Sequence, residues 1–326
     1  MTSRAGLITT LLCAFTLPVH AQDSPTPDEA PAAQPTIQVG VDYRVYDREG
    51  NPSSLLAIIG AALGDDVLLV GEEHDDMIGH AFETELFLAA LDEIGGAAAS
   101  GRAVVLSMEM FERDVQYVLD EYLAGMISEE HFLKSSRPWP DYESRYRPLI
   151  EIARERGSAV IAANAPRRYV SRVTSEGPES LIELSAHARS YLPPLPYPGP
   201  SDVYREQWDA VMAEAMEGRD YQTNPNAVYS QALWDASMGH AITEALVRHL
   251  GSLVIHFVGS FHVGRGTGVP ERIADYRPGT SVTTVVMTKV DDIDAWSVDE
   301  HAGLGDFVVL TKKSEDVATE GNRTDR

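Results

Sequence analysis

Two apolar runs in this chain end in the same short pattern, a glycine followed three positions later by a histidine. Val67–Val70 leads into Gly71–His74, and Leu253–Val258 leads into Gly259–His262. A continuous apolar run that stops at a glycine turn is typical of a buried parallel strand. Open α/β sheets bind their ligands outside the carboxyl ends of the strands. The pattern therefore predicts two histidines at one edge of one sheet.

Further apolar segments alternate with helical patterns along most of the chain. A helix is predicted between Ser53 and Leu63, with Ser53 or Ser54 as its N-cap. Strands are predicted at residues 66–70, 103–108, 159–163, 253–258, 281–287 and 307–310. Strands that alternate with helices indicate crossover units. The predicted fold class is therefore α/β, with a mainly parallel sheet flanked by helices.

Two connections between predicted strands are too long for simple crossovers. Residues 114–156 and 170–249 are predicted to be helical insertions. Long connections in compact domains are commonly lids or binding elements. We therefore predict a helical cap over the C-terminal strand edge, within one α/β domain spanning residues 39–313.

The two ends of the chain differ in composition from this predicted domain. Residues 1–21 carry Arg4, a short apolar stretch and a small-residue site ending at Ala21, which predicts a secretory signal peptide and a periplasmic or secreted protein. Residues 22–38 and 314–326 are predicted to be a disordered leader and tail. Cys13 follows Leu12 rather than a small residue, so lipid anchoring is not expected.

Charge and cysteine content exclude several classes of function. The chain has 26 basic and 50 acidic residues, for a net charge of −24. Such a surface repels phosphate backbones, so nucleic acid is not an expected partner. Cys13 is the sole cysteine and falls in the predicted signal peptide, which leaves no disulfide, thiol nucleophile or cysteine metal ligand.

Polar side chains gather where the predicted strands end. A carboxylate directly after an apolar strand, such as Glu109, is costly unless it is paired or bound. These residue types can hold a divalent metal, or the iron and propionates of a porphyrin. The strand-end set consists of Glu72, His74, His80, Glu109, Asn164, Arg167 and His262. Gln231, Asp235 and Met238 are spaced i, i+4 and i+7, and so share one helical face.

Each of these features also has an ordinary structural interpretation. A histidine after a glycine turn can cap the next helix, and acidic residues in a first helical turn follow from the helix dipole. Arg167 can be a surface charge, and Met238 can be a core residue. One alternative is therefore a protein whose polar cluster is only a hydrogen-bond network.

The order of these motifs resembles the ChaN family of haem-binding uptake proteins, within the broader Tiki/TraB and erythromycin-esterase-like superfamily. The resemblance covers roughly residues 50 to 290. Its motifs are Gly71–Asp75 with His80, Glu109–Phe111, the aromatic stretch from Trp139 to Pro148, Asn164–Arg167, the face of Gln231, Asp235 and Met238, Gly259–His262, and Gly268–Arg272.

The resemblance implies haem handling linked to iron acquisition by an exported protein. It also implies a homodimer that sandwiches haem, and an outer-membrane uptake system as a partner. The pocket residues carried over by motif are Glu72, His74, His80, Glu109, Asn164, Arg167, Gln231, Asp235 and His262. Tyr146 is the haem-contacting tyrosine that it suggests, since a tyrosinate favours ferric iron.

Other branches of the same superfamily imply a metal-dependent hydrolase, protease-like or esterase-like. His74, Glu109 and His262 would then hold a divalent metal ion, with Glu72 or His80 as general base. The histidines lack the helical spacing of a HExxH motif, so such a site would be assembled from distant segments. The residues alone leave both alternatives open.

Overall fold

A computed structural model describes residues 34–95, 101–139, 141–215 and 224–313. The predicted signal peptide, residues 22–33 of the predicted leader and the predicted tail lie outside the described residues. Ile37, which falls in the predicted leader, is buried in the core. Ordered packing therefore begins before the predicted domain boundary at residue 39.

Within these described ranges, seven strands form one sheet in the order β1-β7-β6-β2-β5-β3-β4. The strands are β1 (Tyr43–Asp47), β2 (Val67–Glu72), β3 (Val104–Glu112), β4 (Val160–Asn164), β5 (Leu253–Gly259), β6 (Val282–Val290) and β7 (Phe307–Lys312). β1 is antiparallel to β7, and all the other pairings are parallel. The predicted α/β class with a mainly parallel sheet is confirmed, and β1 is a strand that the sequence analysis missed.

Helices cover both faces of this sheet. They are α1 (Leu55–Ala62), α2 (Met77–Glu93), α3 (Gln116–Leu123), α4 (Glu129–Ser136), α5 (Tyr142–Arg145), α6 (Arg147–Arg156), α7 (Arg167–Glu176), α8 (Ala186–Arg189), α9 (Asp202–Ala215), α10 (Ala227–Arg248), α11 (Val269–Tyr276) and α12 (Val298–His301). Ser54 caps α1 through its side chain, as predicted. None of the described helices is long and apolar enough to cross a membrane.

Alternate residues of the central strands pack into two separate hydrophobic cores. In β2, Leu68 and Val70 pack into the core under α1, α2 and α6, whereas Val67 and Leu69 pack into the core under α10 and α11. Successive side chains of a strand point to opposite faces, so a strand buried on both faces must be apolar throughout. This is why the apolar runs of the sequence identify these strands.

The two long insertions reach the C-terminal edge of the sheet. In the first, Trp139 contacts the His74 ring edge-on, with the ring centroids 5.0 Å apart. In the second, Tyr204 and Trp208 of α9 contact Phe261, just after β5. Both insertions thus place aromatic side chains beside the strand ends, as the predicted cap requires.

A close approach between α10 and α11 depends on Gly239. A Cβ atom on Gly239 would lie 2.5 Å from the Cβ of Arg272 and 3.1 Å from its carbonyl carbon. We expect Gly239→Ala to lower the free energy of unfolding by about 1–3 kcal/mol, because the helices must move apart. Urea unfolding of the purified protein measures this.

Gly60 is the matched control, since it is also helical but a Cβ there meets nothing within 4 Å. Gly60→Ala should raise the free energy of unfolding by about 0.5–1 kcal/mol, through helix propensity. Equal effects of the two substitutions would show that the helix contact does not depend on Gly239.

Candidate functional site

Glu72, the last residue of β2, is the centre of a buried hydrogen-bond network. Its Oε1 lies 2.6 Å from Nδ1 of His74 and accepts the hydroxyl of Tyr146 at 3.0 Å. Its Oε2 lies 3.0 Å from Nδ1 of His80. Burial alone would raise the pKa of Glu72, but the hydrogen bonds to the two histidines outweigh it and lower the pKa to about 2. The carboxylate is therefore ionised.

His80, on the first turns of α2, is fully buried between acceptors. Its Nδ1 also lies 3.2 Å from Oε2 of Glu83, and its Nε2 lies 3.0 Å from the carbonyl oxygen of His74. An imidazole with an acceptor at each nitrogen suits the protonated form, in which both nitrogens donate. Burial lowers the pKa of His80, but the two carboxylates outweigh burial and raise it to about 10.

Glu83 is the member of this network that the sequence analysis missed. Its side chain is fully buried, and desolvation together with the charge of Glu72 raises its pKa to about 8. Among the described residues, Glu72, His80 and Glu83 are the one group of three acids and histidines whose ligand atoms all lie within 4.8 Å of one another. The sequence feature that could have identified Glu83 is its position three residues after His80 on the same helix.

His74 is the exposed histidine of the site. Its side chain is 46% exposed, and Nδ1 is occupied by Glu72. The opposite edge of the ring faces Gly259, where a Cβ would lie 3.0 Å from both Cε1 and Nε2. Burial lowers the pKa of His74, but Glu72 outweighs it and raises the pKa. The hydrogen bond at Nδ1 fixes the ring, and Nε2 is the ring nitrogen that Glu72 does not bind.

A second network lies on the other side of Gly259. His262 has Nδ1 2.7 Å from Oδ1 of Asp235 and Nε2 3.8 Å from Oε1 of Glu109. Glu109 in turn accepts the backbone N–H of Gly259 at 2.8 Å. Burial lowers the pKa of His262, but Asp235 and Glu109 outweigh it and raise it to about 9. A buried imidazolium is thus held between two carboxylates.

The three residues predicted to converge from distant segments therefore do so. Glu109 is 3.8 Å from His262, and both Glu109 and His74 lie against Gly259. Glu109 lies in β3, whereas His74 and His262 follow the ends of β2 and β5, and these three strands are consecutive in the sheet. Their role as metal ligands stays a prediction.

The remaining predicted residues occupy different surroundings. Asn164 is buried, and its Oδ1 accepts the N–H of Ala165 at 2.9 Å. Arg167 begins α7, is exposed, and forms no ion pair within the described part of the chain. Gln231 lies one turn before Asp235 on α10, and its Oε1 is buried with no hydrogen-bond partner among the described residues. Their contacts with a ligand stay predictions.

Aromatic side chains and an apolar cavity flank the second network. The rings of Phe261 and Trp234 lie 5.6 Å and 6.5 Å from the His262 ring, and Trp208 lies 6.0 Å from Phe261. A cavity of about 320 Å³ adjoins Phe261, between α9 and the end of β6. The edge of the sheet therefore offers flat apolar surfaces beside an exposed imidazole.

Comparisons with known proteins match most of this framework. The sequence model of a protein family described as haem-binding uptake, Tiki superfamily, ChaN, matches residues 58–273. The structure described as cofacial haem binding to ChaN of Campylobacter jejuni has a TM-score of 0.64 at 17% identity, and covers 85% of this chain and 100% of that chain. At this identity the likeness shows the fold.

Two further structures are similar at lower scores. The type III effector HopBA1 has a TM-score of 0.44 at 12% identity, covering 80% of this chain and 94% of its own. A mutant of the erythromycin esterase EreC in its open conformation has a TM-score of 0.43 at 10% identity, covering 82% of both chains. No curated protein sequence matches the chain.

Proposed function

The chain belongs to the ChaN family of haem-binding uptake proteins in the Tiki superfamily, and from that premise we propose that it is an exported haem-binding protein of haem and iron acquisition. The haem would lie at the C-terminal edge of the sheet. The observation that carries the proposal is the half-exposed His74 imidazole, held by Glu72 at 2.6 Å and in edge-on contact with Trp139.

The donor set at this edge fits a porphyrin iron. A histidine that ligates a metal commonly donates a hydrogen bond from its other ring nitrogen to a carboxylate, which fixes the ring and raises its basicity. His74 has this arrangement, with Glu72 at Nδ1. Iron at Nε2 would replace the proton there, since the ligand is the neutral imidazole. Haem binding is therefore expected to strengthen as pH rises through the raised pKa of His74.

Tyr146, the predicted haem-contacting tyrosine, is buried behind this histidine. Its side chain is 1% exposed, and its hydroxyl donates to Glu72. Burial, together with the nearby charges of Glu72 and Glu83, raises the pKa of Tyr146 far above its usual range, so this arrangement opposes a tyrosinate. We therefore propose His74 as the iron ligand and Tyr146 as a residue that positions Glu72.

Other side chains at the edge suit the rest of the haem molecule. Trp139 and Phe261 present half-buried rings next to the two networks, and flat rings stack on a porphyrin. Arg167 is exposed and lacks an ion pair among the described residues, so its guanidinium is available to a propionate.

The biological setting rests on the sequence. Residues 1–21 have the charged start, apolar stretch and cleavage site of a secretory signal. We propose a periplasmic or secreted location, a homodimer formed around haem, and delivery to or from an outer-membrane uptake system. Size-exclusion chromatography with and without hemin tests the dimer.

A hemin titration tests the proposed ligand. The wild-type protein is expected to shift the Soret band of hemin at a fixed stoichiometry. His74→Ala should move the Soret band and weaken binding, because the iron ligand is lost. Tyr146→Phe should keep the wild-type band position, since the ring remains and only the hydrogen bond to Glu72 is removed.

His187→Ala is the matched control, because His187 is an exposed histidine on α8. It should behave as the wild type. A charge-transfer band of tyrosinate in the wild type, lost in Tyr146→Phe, would overturn His74 as the ligand. Hemin association without a Soret shift or a fixed stoichiometry would overturn the function itself.

The hydrolase alternative gains no specific support from the geometry. His262 is buried, and both of its ring nitrogens face carboxylates. A metal ligand needs a free nitrogen lone pair. The general bases of this alternative, Glu72 and His80, are buried, whereas a general base needs an open path to its substrate. We therefore propose binding rather than turnover.

A further inference from the structure

A groove with an unusual charge lies on the flank of α10, away from the strand-end networks. Two cavities of about 460 and 210 Å³ adjoin each other there, with Glu244 and Arg248 lining both. Their charged lining residues are three arginines, Arg113, Arg248 and Arg277, against the single acid Glu244. We call these two cavities the arginine groove.

The positive charge of the arginine groove contrasts with the rest of the chain. The chain has a net charge of −24, whereas three arginines and one glutamate give this lining a net charge of +2. Glu244 already accepts both Arg113 and Arg248, so one carboxylate is shared by two guanidinium groups. Arg277 is the third cation, and its nearest acid is Asp66 at 3.7 Å, outside the lining.

Neutral groups of the arginine groove add hydrogen-bond donors. Nδ1 of His240 accepts a guanidinium N–H of Arg113 at 3.1 Å, which leaves Nε2–H as the ring's donor. Burial and the neighbouring arginines lower the pKa of His240, in agreement with a neutral ring. The hydroxyl of Tyr276 is buried and has no hydrogen-bond partner among the described residues.

Apolar groups line the remainder of the larger cavity. Pro194, Val247 and the Tyr276 ring face it alongside the polar groups. A bare inorganic anion would leave these surfaces in water, whereas a ligand with an apolar body would cover them. None of these residues belongs to the proposed haem site.

We propose that the arginine groove binds a small organic carboxylate with an apolar body. The carboxylate pairs with the guanidinium groups of Arg248 and Arg277, since a planar oxyanion matches the guanidinium fork. The apolar body packs against Val247 and Pro194. The site is independent of the proposed haem function.

Benzoate is the probe, and benzamide is its neutral counterpart of the same shape. In saturation-transfer NMR with the full chain, benzoate is expected to give a saturable signal, and benzamide should bind at least about tenfold more weakly. Arg248→Gln should weaken benzoate binding about tenfold, because one charge-assisted contact is lost. Lys134→Gln, which removes an exposed charge that lines neither cavity, should leave it unchanged.

Val247→Asp is a second test that does not disturb the packing, because Val247 is 65% exposed. It places a carboxylate at the mouth of the groove and should also weaken benzoate binding. Equal binding of benzoate and benzamide, or benzoate binding that survives both variants, would overturn the proposal. Inorganic phosphate that competes for the groove as strongly as benzoate binds would also overturn the proposal. Displacement of benzoate by one equivalent of hemin would overturn it as well.

Discussion

Replacing His80 with alanine is expected to lower the free energy of unfolding by about 3–5 kcal/mol. His80 is a fully buried cation between Glu72 and Glu83, with its Nδ1 3.0 and 3.2 Å from their carboxylate oxygens. Its removal leaves two buried acids facing each other without the cation that pairs them. Urea unfolding at pH 7, followed by circular dichroism, measures the loss.

Two further variants separate the charge effect from simple loss of volume. His187→Ala, on the exposed surface of α8, should change the free energy of unfolding by less than about 0.5 kcal/mol. Adding Glu72→Gln to His80→Ala should recover part of the loss, because Glu72 is the ionised acid that loses its cation at pH 7, and glutamine makes that position neutral. A loss below about 1 kcal/mol in His80→Ala would show that the network does not depend on this cation.

The sheet could be predicted because its strands are apolar on both faces. Six strands were found from continuous runs such as Leu253–Val258. One face of each run packs into a common core, and the opposite face packs into a second core or, for β7, into a smaller cluster with Tyr46 and Ile293. β1 was missed because Tyr43–Asp47 is a short antiparallel edge strand that alternates with polar residues. Such a strand lacks the signal that burial on both faces produces.

The convergence of the candidate site could be predicted from topology alone. The ends of neighbouring parallel strands meet at one edge, so Glu72, Glu109 and His262 had to be close once β2, β3 and β5 were adjacent. The partners within each network could not be predicted. The position of the Glu83 side chain depends on how α2 packs against the sheet. The position of the Tyr146 side chain depends on the path of a long insertion.

The same difference concerns Tyr146, which the resemblance suggested as the haem contact and whose contact with haem stays a prediction. A tyrosine in an aromatic stretch gives no sign of which way its hydroxyl will point. In the fold the hydroxyl is turned inward to Glu72, and Glu72 in turn holds the one histidine of the site that is 46% exposed. The two buried networks thus act as supports on either side of Gly259, and His74 is the group that they present to solvent.

The buried networks also predict that the free energy of unfolding falls as pH rises above about 6.5. His262 has its pKa raised to about 9 and His80 to about 10, from an ordinary value of 6.5. Their stabilising contribution is complete below pH 6.5, and is lost as pH rises through the folded-state values. Glu83, with its pKa raised from 4.5 to about 8, acts in the same direction, because the folded state keeps a proton that the unfolded chain has released.

Each proton that the folded state binds in excess of the unfolded chain changes the free energy of unfolding by about −1.4 kcal/mol per pH unit. We expect at least one such proton between pH 7 and 8.5, so urea unfolding at intervals across this range should show a loss of at least about 2 kcal/mol. His262→Gln removes one titrating group between Asp235 and Glu109, and should make the slope shallower by up to about 1.4 kcal/mol per pH unit. A wild-type slope of zero, or stability that rises with pH in this range, would mean that these histidines are neutral in the folded protein.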